Sequence, residues 1–247
     1  MISVVNPHIL TPAYIANAVN FDGTNDYMRR ATDWTGGALT GKVGTLSLWV
    51  NFKGGDGAAQ KLWHQDGGYG YMERTSANKF RIFMYETTGG TISLDMISTS
   101  SYTVASGWVH VAMAWDVAAG TTQMYINGAS DRAGSPTALN NTLEYARETM
   151  SFGADQAGGG GKLNADIADF YFNTDAFIDL SVAANLQKFR SAAGKPVFLG
   201  LDGSAPTGAK PQICLTNPFG TWHQNLSGYG DYTVTGALTA GSSSPSA

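Results

Sequence analysis

Five side chains in this sequence have the types and spacing to hold a sugar: Trp63, His64, Tyr69, Tyr71 and Trp222. A pyranose is recognised by an aromatic face packed on its C–H surface, beside polar groups that fix its orientation. Tyr69 and Tyr71 stand two residues apart and so share one face of an extended strand, while Trp63 and His64 precede them by one hairpin. Core packing explains any one of these aromatics equally well. Their clustering is what points to a ligand.

Other chemistries find less support. Asp166 and Asp169 are three residues apart, which puts two carboxylates on opposite faces of a regular strand and disqualifies them as an acid and nucleophile pair. Cys214 is the sole cysteine, lies among apolar neighbours and excludes an intramolecular disulfide framework. No serine sits in Gly-x-Ser-x-Gly. The run Gly158–Leu163 mimics a phosphate loop, but position 163 lacks Ser or Thr and position 156, where the first glycine belongs, is Gln. His110 alternates with core residues and reads as a structural histidine donating to backbone; His223, like His64, adjoins a tryptophan and reads as a surface residue.

The elements that must position these residues are strands. In GWVHVAMAWD (107–116), Val109, Val111, Met113 and Trp115 alternate with Trp108, His110, Ala112 and Ala114, the period of a central strand with two apolar neighbours. TQMYING (122–128) follows and ends in Asn-Gly, which accepts positive φ twice in succession and suits a tight hairpin. Strands are predicted over 18–21, 27–29, 45–52, 61–65, 69–74, 79–85 and 91–97, with Phe80, Ile82 and Met84, then Ile92, Leu94 and Met96, at alternate positions. Such spacing without intervening helices means a sandwich or barrel. One late helix is predicted, N-capped by Ser181, with Val182, Leu186 and Phe189 on one stripe and Gly194 and Pro196 ending it. Between 133 and 147 the pattern weakens to a loop or edge. A net charge of −4 removes any general attraction to nucleic acid or anionic membrane, and no segment has the roughly 18 apolar residues needed to span a bilayer. The first residues, MISVVNPH, lack the basic flank and sustained apolar core of a secretory signal, so folding in cytoplasm is expected.

The pair GWVHVAMAWD and TQMYINGA resembles the signature of laminin G-like domains in the concanavalin A-like lectin/glucanase superfamily. AVNFDGTNDY (18–27), GTLSLWV (44–50), MSFG (150–153) and ADIADFY (165–171) agree in order, so the resemblance runs over roughly residues 18–190. It implies an all-β, antiparallel jelly-roll sandwich. The superfamily's glucan-cleaving members carry Glu-x-Asp-x-x-Glu or close variants, which this chain lacks, so no enzymatic activity is expected. The resemblance also adds calcium as a candidate cofactor, held at a rim by Asp22, Asn25 and Asp26 from one loop and Asp155 and Asp166 around the glycine run. Turn-forming Asp and Asn that bond their own backbone account for the same residues.

From Gly194 the composition shifts to Gly, Pro, Ser and Thr. GKP (194–196), DGS (202–204), PTG (206–208) and YTVTG (232–236) are similar to C-terminal extensions of laminin G-like proteins from tailed bacteriophages and prophages. The expected organisation is an N-terminal arm (1–17), a sandwich (18–193) with one short helix, and a C-terminal extension (194–247). The arms would be attachment segments, and the sandwich is expected to fold without them. The resulting expectation is a non-catalytic virion surface component, a head decoration or a tail or fibre protein, that assembles with other virion subunits as a homo-oligomer and binds host-surface or environmental glycans. A free carbohydrate-binding lectin ranks second and a glycan hydrolase last.

Overall fold

A computed structural model describes residues 13–145, 149–156 and 158–247. The first half of the chain forms β1 (Ala18–Asp22), β2 (Tyr27–Arg30), β3 (Thr40–Gly41), β4 (Val43–Phe52), β5 (Gln60–Gln65), β6 (Gly70–Arg74), β7 (Phe80–Tyr85), β8 (Ile92–Ile97) and β9 (Trp108–Asp116). The second half adds β10 (Thr121–Ile126), β11 (Ala129–Ser130), β12 (Thr137–Ala138), β13 (Leu143–Glu144), β14 (Met150–Phe152), β15 (Asn164–Asn173), α1 (Ala183–Leu186), β16 (Ile213–Leu215), β17 (Thr233–Thr235) and β18 (Thr239–Ala240). Two antiparallel sheets stack face to face. Sheet A runs β11-β10-β9-β4-β15-β1-β18, with β16 also on β15, and sheet B runs β12-β8-β7-β6-β5-β14-β2-β17.

The alternation in β4 and β9 does what its period dictates. Leu46, Leu48, Val50, Val109, Val111, Met113 and Trp115 enter the space between the sheets, where Phe80, Ile82, Met84, Leu94 and Met96 of sheet B meet them. Trp115 is fully buried, and its Nε1 donates to the Tyr145 hydroxyl at 3.1 Å. Across the ladder from it stands Gly44, where a Cβ would lie 2.3 Å from the indole ring, so the tryptophan dictates the glycine. The Asn127-Gly128 turn has φ of 51° and 90°, as the hairpin requires.

Register shifts break the pairing of β15 with β4, of β5 with β6 and of β7 with β8, and the first two move candidate residues. Along β15, Ala168 pairs with Trp49 but the next pair is Tyr171 with Ser47, three residues against two. The extra residue is Asp169, at φ 50°. Ala165, Ile167, Phe170 and Phe172 therefore face the core, while Asp166, Ala168, Asp169 and Tyr171 lie on the outer side. The expectation that Asp166 and Asp169 occupy opposite faces is thus corrected. In β5 a shift between Lys61 and Trp63 turns both Leu62 and Trp63 inward.

The outer face of sheet A is closed by the chain itself. Ile178, Leu180, Leu186, Phe189 and Leu199 pack over Ala112, Ala114, Tyr171 and Cys214, and Tyr14 and Ala16 cover Trp49 and Ala168. The predicted helix shrinks to four residues begun by Val182, which is exposed, while Leu186 and Phe189 make the expected contacts. The segment from 194 onward is not an arm outside the sandwich. It contributes β16 and β18 to sheet A and β17 to sheet B, and Ile213, Leu215, Trp222 and Tyr232 to the core. A three-residue strand such as β16 buries its side chains as fully as a long one does, but it carries too few residues to show a period. Of the N-terminal arm, residues 1–12 lie outside the described residues; 13–17 run beside the chain's other end, with the Ala16 amide donating to Ser246 Oγ and Ser244 Oγ donating to the Ala16 carbonyl.

Candidate functional site

Among the described residues no apolar layer packs on the outer face of sheet B, although His64 and Phe83 on it are buried among their neighbours and the Gln156 amide donates to His64 Nδ1, so His64 is not the surface residue expected. Since Phe80, Ile82 and Met84 point inward, Arg81, Phe83 and Tyr85 of β7 point outward, and the register places Tyr71 opposite Phe83 and His64 opposite Tyr71. These rings form a ladder: His64 and Tyr71 at 6.2 Å and 9°, Tyr71 and Phe83 at 4.9 Å and 13°, then Phe83 and Tyr85 edge-to-face at 5.0 Å. Tyr69 closes the end against Tyr85 at 6.0 Å. Three of the five predicted sugar-binding residues, His64, Tyr69 and Tyr71, are therefore brought together.

The other two are not. Trp63 packs on Phe172 at 5.1 Å, and Trp222 lies between Phe21 and Phe152, both tryptophans fully buried. The bulge in β5 rotates Trp63 inward, and the core needs a large ring from the C-terminal segment at 222. The residues missing from the prediction, Phe83, Tyr85 and Arg81, are the complement of the inward Phe80, Ile82 and Met84, so the same alternation held the signal.

Charged groups line the ladder in pairs. Arg81 grips Asp95 through two hydrogen bonds of 2.8 and 2.6 Å, reaches the Tyr71 hydroxyl at 3.2 Å and lies 3.8 Å from Glu73. Its guanidinium is raised by the Asp95 hydrogen bond, against the cost of burial. Lys61 pairs with Glu73 and sits 3.7 Å from the Tyr71 ring centroid. Burial pushes the Tyr71 hydroxyl up, Arg81 pulling the other way. With Phe83 on one side and Lys61 over the ring, Tyr71 presents mainly its edge and hydroxyl, and half-exposed Tyr69 and Tyr85 supply the remaining ring surface. Beside Arg81 and Asp95 runs a groove of about 230 Å³ bounded by Ile97, Ala133, Ser135, Pro136 and Thr137.

The five residues named for calcium do not form a cage. Asp166 is fully buried, and its oxygens take the Asn20 amide at 2.8 Å, Lys53 at 3.1 Å and the amide and hydroxyl of Ser242 at 3.1 and 2.9 Å. Asp26 accepts from the Ala237 amide, and Asp155 from that of Gly160. At Asp22 the cost of burial is outweighed by the amides of Thr24, Asn25 and Asp26, which hold its carboxyl below the usual range. Asn25, exposed, contributes its amide to that turn. Carboxylates spent on amides and a lysine have few lone pairs left for an ion. Among the described residues no three His, Cys, Asp or Glu side chains gather in a metal-binding group.

Buried chemistry on sheet A is likewise self-contained. His110 Nε2 and Ser47 Oγ lie 2.9 Å apart, so the histidine's partner is a serine and not the backbone that was expected. Burial first, and Arg190 second, hold its imidazole down to about 3, so the pair is neutral; among the described residues no carboxylate orients Nδ1. Cys214 is pushed up to about 12 by burial, with Asp169 adding to it. His223 is partly exposed. The glycine run lies against Tyr27 and Lys61 as an inter-sheet loop. No helix among the described residues is long and apolar enough to cross a membrane.

The structure resembles a heptameric SAP-like pentraxin from Limulus polyphemus, at 13% identity and TM-score 0.57 over 92% of this chain and 94% of that one. It also resembles a putative carbohydrate binding protein from Bacteroides ovatus, at 14% identity and TM-score 0.64 over 95% of this chain and 62% of that one. No curated protein matches the sequence. A laminin G family model does match it, over residues 22–183, from the end of β1 to the start of α1. That span is more than half of the chain and includes the strand pair whose motifs first suggested the kinship, so the chain belongs to the concanavalin A-like lectin/glucanases superfamily.

Proposed function

We propose that this protein is a non-catalytic structural and adhesion component on the surface of a tailed-phage virion, in the head decoration or in a tail or fibre, and that it binds glycans with the outer face of sheet B. The observation that carries the glycan half is the asymmetry of the sandwich. Sheet A is covered by the chain's own segments, whereas sheet B carries half-exposed Tyr27, Tyr69, Tyr71 and Tyr85 among charged side chains. The description of the Bacteroides ovatus structure as a putative carbohydrate binding protein agrees with it.

The virion half rests on the resemblance of 194–247 to C-terminal segments of phage laminin G-like proteins. In this reading the partners are other virion subunits, further copies of the chain included, and the glycans of a host surface or its surroundings; assembly takes place in the host cytoplasm. Catalysis is left out because the acids described on the exposed strands, Glu73 and Asp95, are both engaged by Arg81, and Glu73 by Lys61 as well. Asp166 and Asp169 share a face but are covered by the chain's ends.

A glycan array probed with the wild type and with Tyr69→Ala/Tyr85→Ala tests the binding face: signals lost in the double variant support it, and an unchanged profile refutes it. Proteomics of purified particles tests the placement. Absence of the chain from particles, with glycan binding intact, would leave the free lectin.

A further inference from the structure

At the other end of sheet B's outer face lies a second groove, of about 250 Å³, lined by Tyr27, Arg29, Ala31, Thr233 and Thr235. Tyr27 and Arg29 alternate with inward Met28, and β17 lays Thr233 opposite Arg29 and Thr235 opposite Tyr27, so all four side chains stand on the open face. Lys162, from the glycine-rich loop, places its ammonium 4.5 Å from the Tyr27 ring centroid. We propose that this groove is an anion subsite that takes the carboxylate or sulfate group of an acidic sugar.

The argument is one of charge left unspent. Along the aromatic ladder every cation has an acid: Lys61 has Glu73, and Arg81 has Asp95 and Glu73. In this groove neither cation has one among the described residues. Among the described residues Arg29 and Lys162 enter no ion pair and no acidic side chain lines the groove. Asp155, on the same loop as Lys162, is turned back onto the Gly160 amide.

Among the described residues the Arg29 guanidinium makes one hydrogen bond, Nη2 to Thr149 Oγ1 at 3.3 Å, and its Nε is buried without a partner. A buried donor left unmade is costly, and beside an open groove lined by hydroxyls it is a place where an acceptor would be favoured. A guanidinium presents its donors as a planar fork that matches the two oxygens of a carboxylate or sulfate. The exposed hydroxyls of Thr233 and Thr235 give the neutral part of a sugar donors and acceptors, and Tyr27 gives it an apolar border. A neutral glycan would leave both cations unused; a bare anion would leave the hydroxyls and the ring unused. An acidic saccharide uses all of them.

The sugar half rests on the glycan reading above, and the anion half does not. The test therefore has two arms, run on the full chain with Arg29→Gln, Arg29→Lys and Lys162→Gln, each checked for an unchanged melting temperature. In the first, sodium sulfate is titrated at constant ionic strength while the arginine Nε–H resonances are followed; the Arg29 signal is expected to move. In the second, calorimetry compares an oligogalacturonide hexamer, a heparin hexasaccharide and maltohexaose. At least one acidic hexamer is expected to bind, to lose about tenfold or more in Arg29→Gln, to recover partly in Arg29→Lys, and to weaken between about 50 and 200 mM salt. A carboxylate preference would favour uronic-acid-type ligands and a sulfate preference sulfated ones. Sulfate that moves the Arg29 signal while no glycan binds would keep the anion subsite and sink the glycan reading. A silent Arg29 signal, or acidic hexamers that bind Arg29→Gln as well as the wild type, overturns the proposal even if maltohexaose binds the ladder.

Discussion

Asp169→Asn is expected to change how stability depends on pH, in a sense opposite to ordinary acid denaturation. Asp169 is 3% exposed; its Oδ1 accepts from the Tyr14 hydroxyl at 2.7 Å and its Oδ2 has no partner. Burial pushes its carboxyl up to about 7, the Tyr14 hydrogen bond opposing. The unfolded chain releases this proton near 3.8 while the folded chain keeps it until about 7. Between those values the folded state binds more protons, so the stability this group contributes is complete below about pH 4 and is lost as pH rises through 7. About three pKa units at roughly 1.4 kcal/mol each give an upper bound near 4 kcal/mol. Asparagine mimics the protonated acid and tolerates the φ of 50°. The variant should thus match the wild type at pH 4 and exceed it by up to about 4 kcal/mol at pH 8. Urea unfolding of both proteins across that range measures it. His110, whose neutral folded form costs stability as pH falls below about 6.5, cancels in the difference. A stability difference that stays flat from pH 4 to pH 8 would refute the argument that Asp169 is held protonated.

Trp115→Ala should cost about 3–5 kcal/mol through the cavity it opens, read as a fall in the thermal midpoint; an unchanged midpoint would remove Trp115 from the core. Deleting 196–247 should abolish the cooperative unfolding transition, because it strips strands from both sheets and Trp222 from the core; a truncated protein with wild-type circular dichroism and a sharp melt would show those strands to be dispensable. Millimolar EDTA and added calcium should give superimposable melting curves, since the candidate carboxylates already have donors; a calcium-dependent rise would reveal a site built from other groups.

What could be seen in the sequence follows from how local each signal is. The strands around 45–52, 80–85, 92–97 and 108–116 are long enough for their alternation to show, and the core position of Trp115 follows from it. The C-terminal strands are three residues or fewer, and their side chains are placed by the sheets they join, so 194–247 read as an appendage. At the candidate site His64, Tyr69 and Tyr71 were visible as a cluster, while Trp63 was misplaced because a bulge rotates a strand and leaves no mark in composition. Arg29 was passed over for another reason. An arginine in a short strand announces charge, but only the folded surroundings tell whether an acid answers it.

The bulge in β15 makes Asp169 a supernumerary residue. Without it, 165, 167, 170 and 172 would alternate evenly, and Ala168 and Tyr171 would face Trp49 and Ser47 two steps apart on both strands. It also falls where the partner on one side of β15 changes, from β1, which pairs with 164–168, to β16, which pairs with 170–172. Excising this one codon would leave the pairing of all three neighbouring strands in frame and every inward side chain in place. What would vanish is the anchor for Tyr14. A sheet usually punishes a single-residue deletion by turning its core side chains outward, but this strand carries a residue it could lose, and that residue fastens the chain's beginning to its middle.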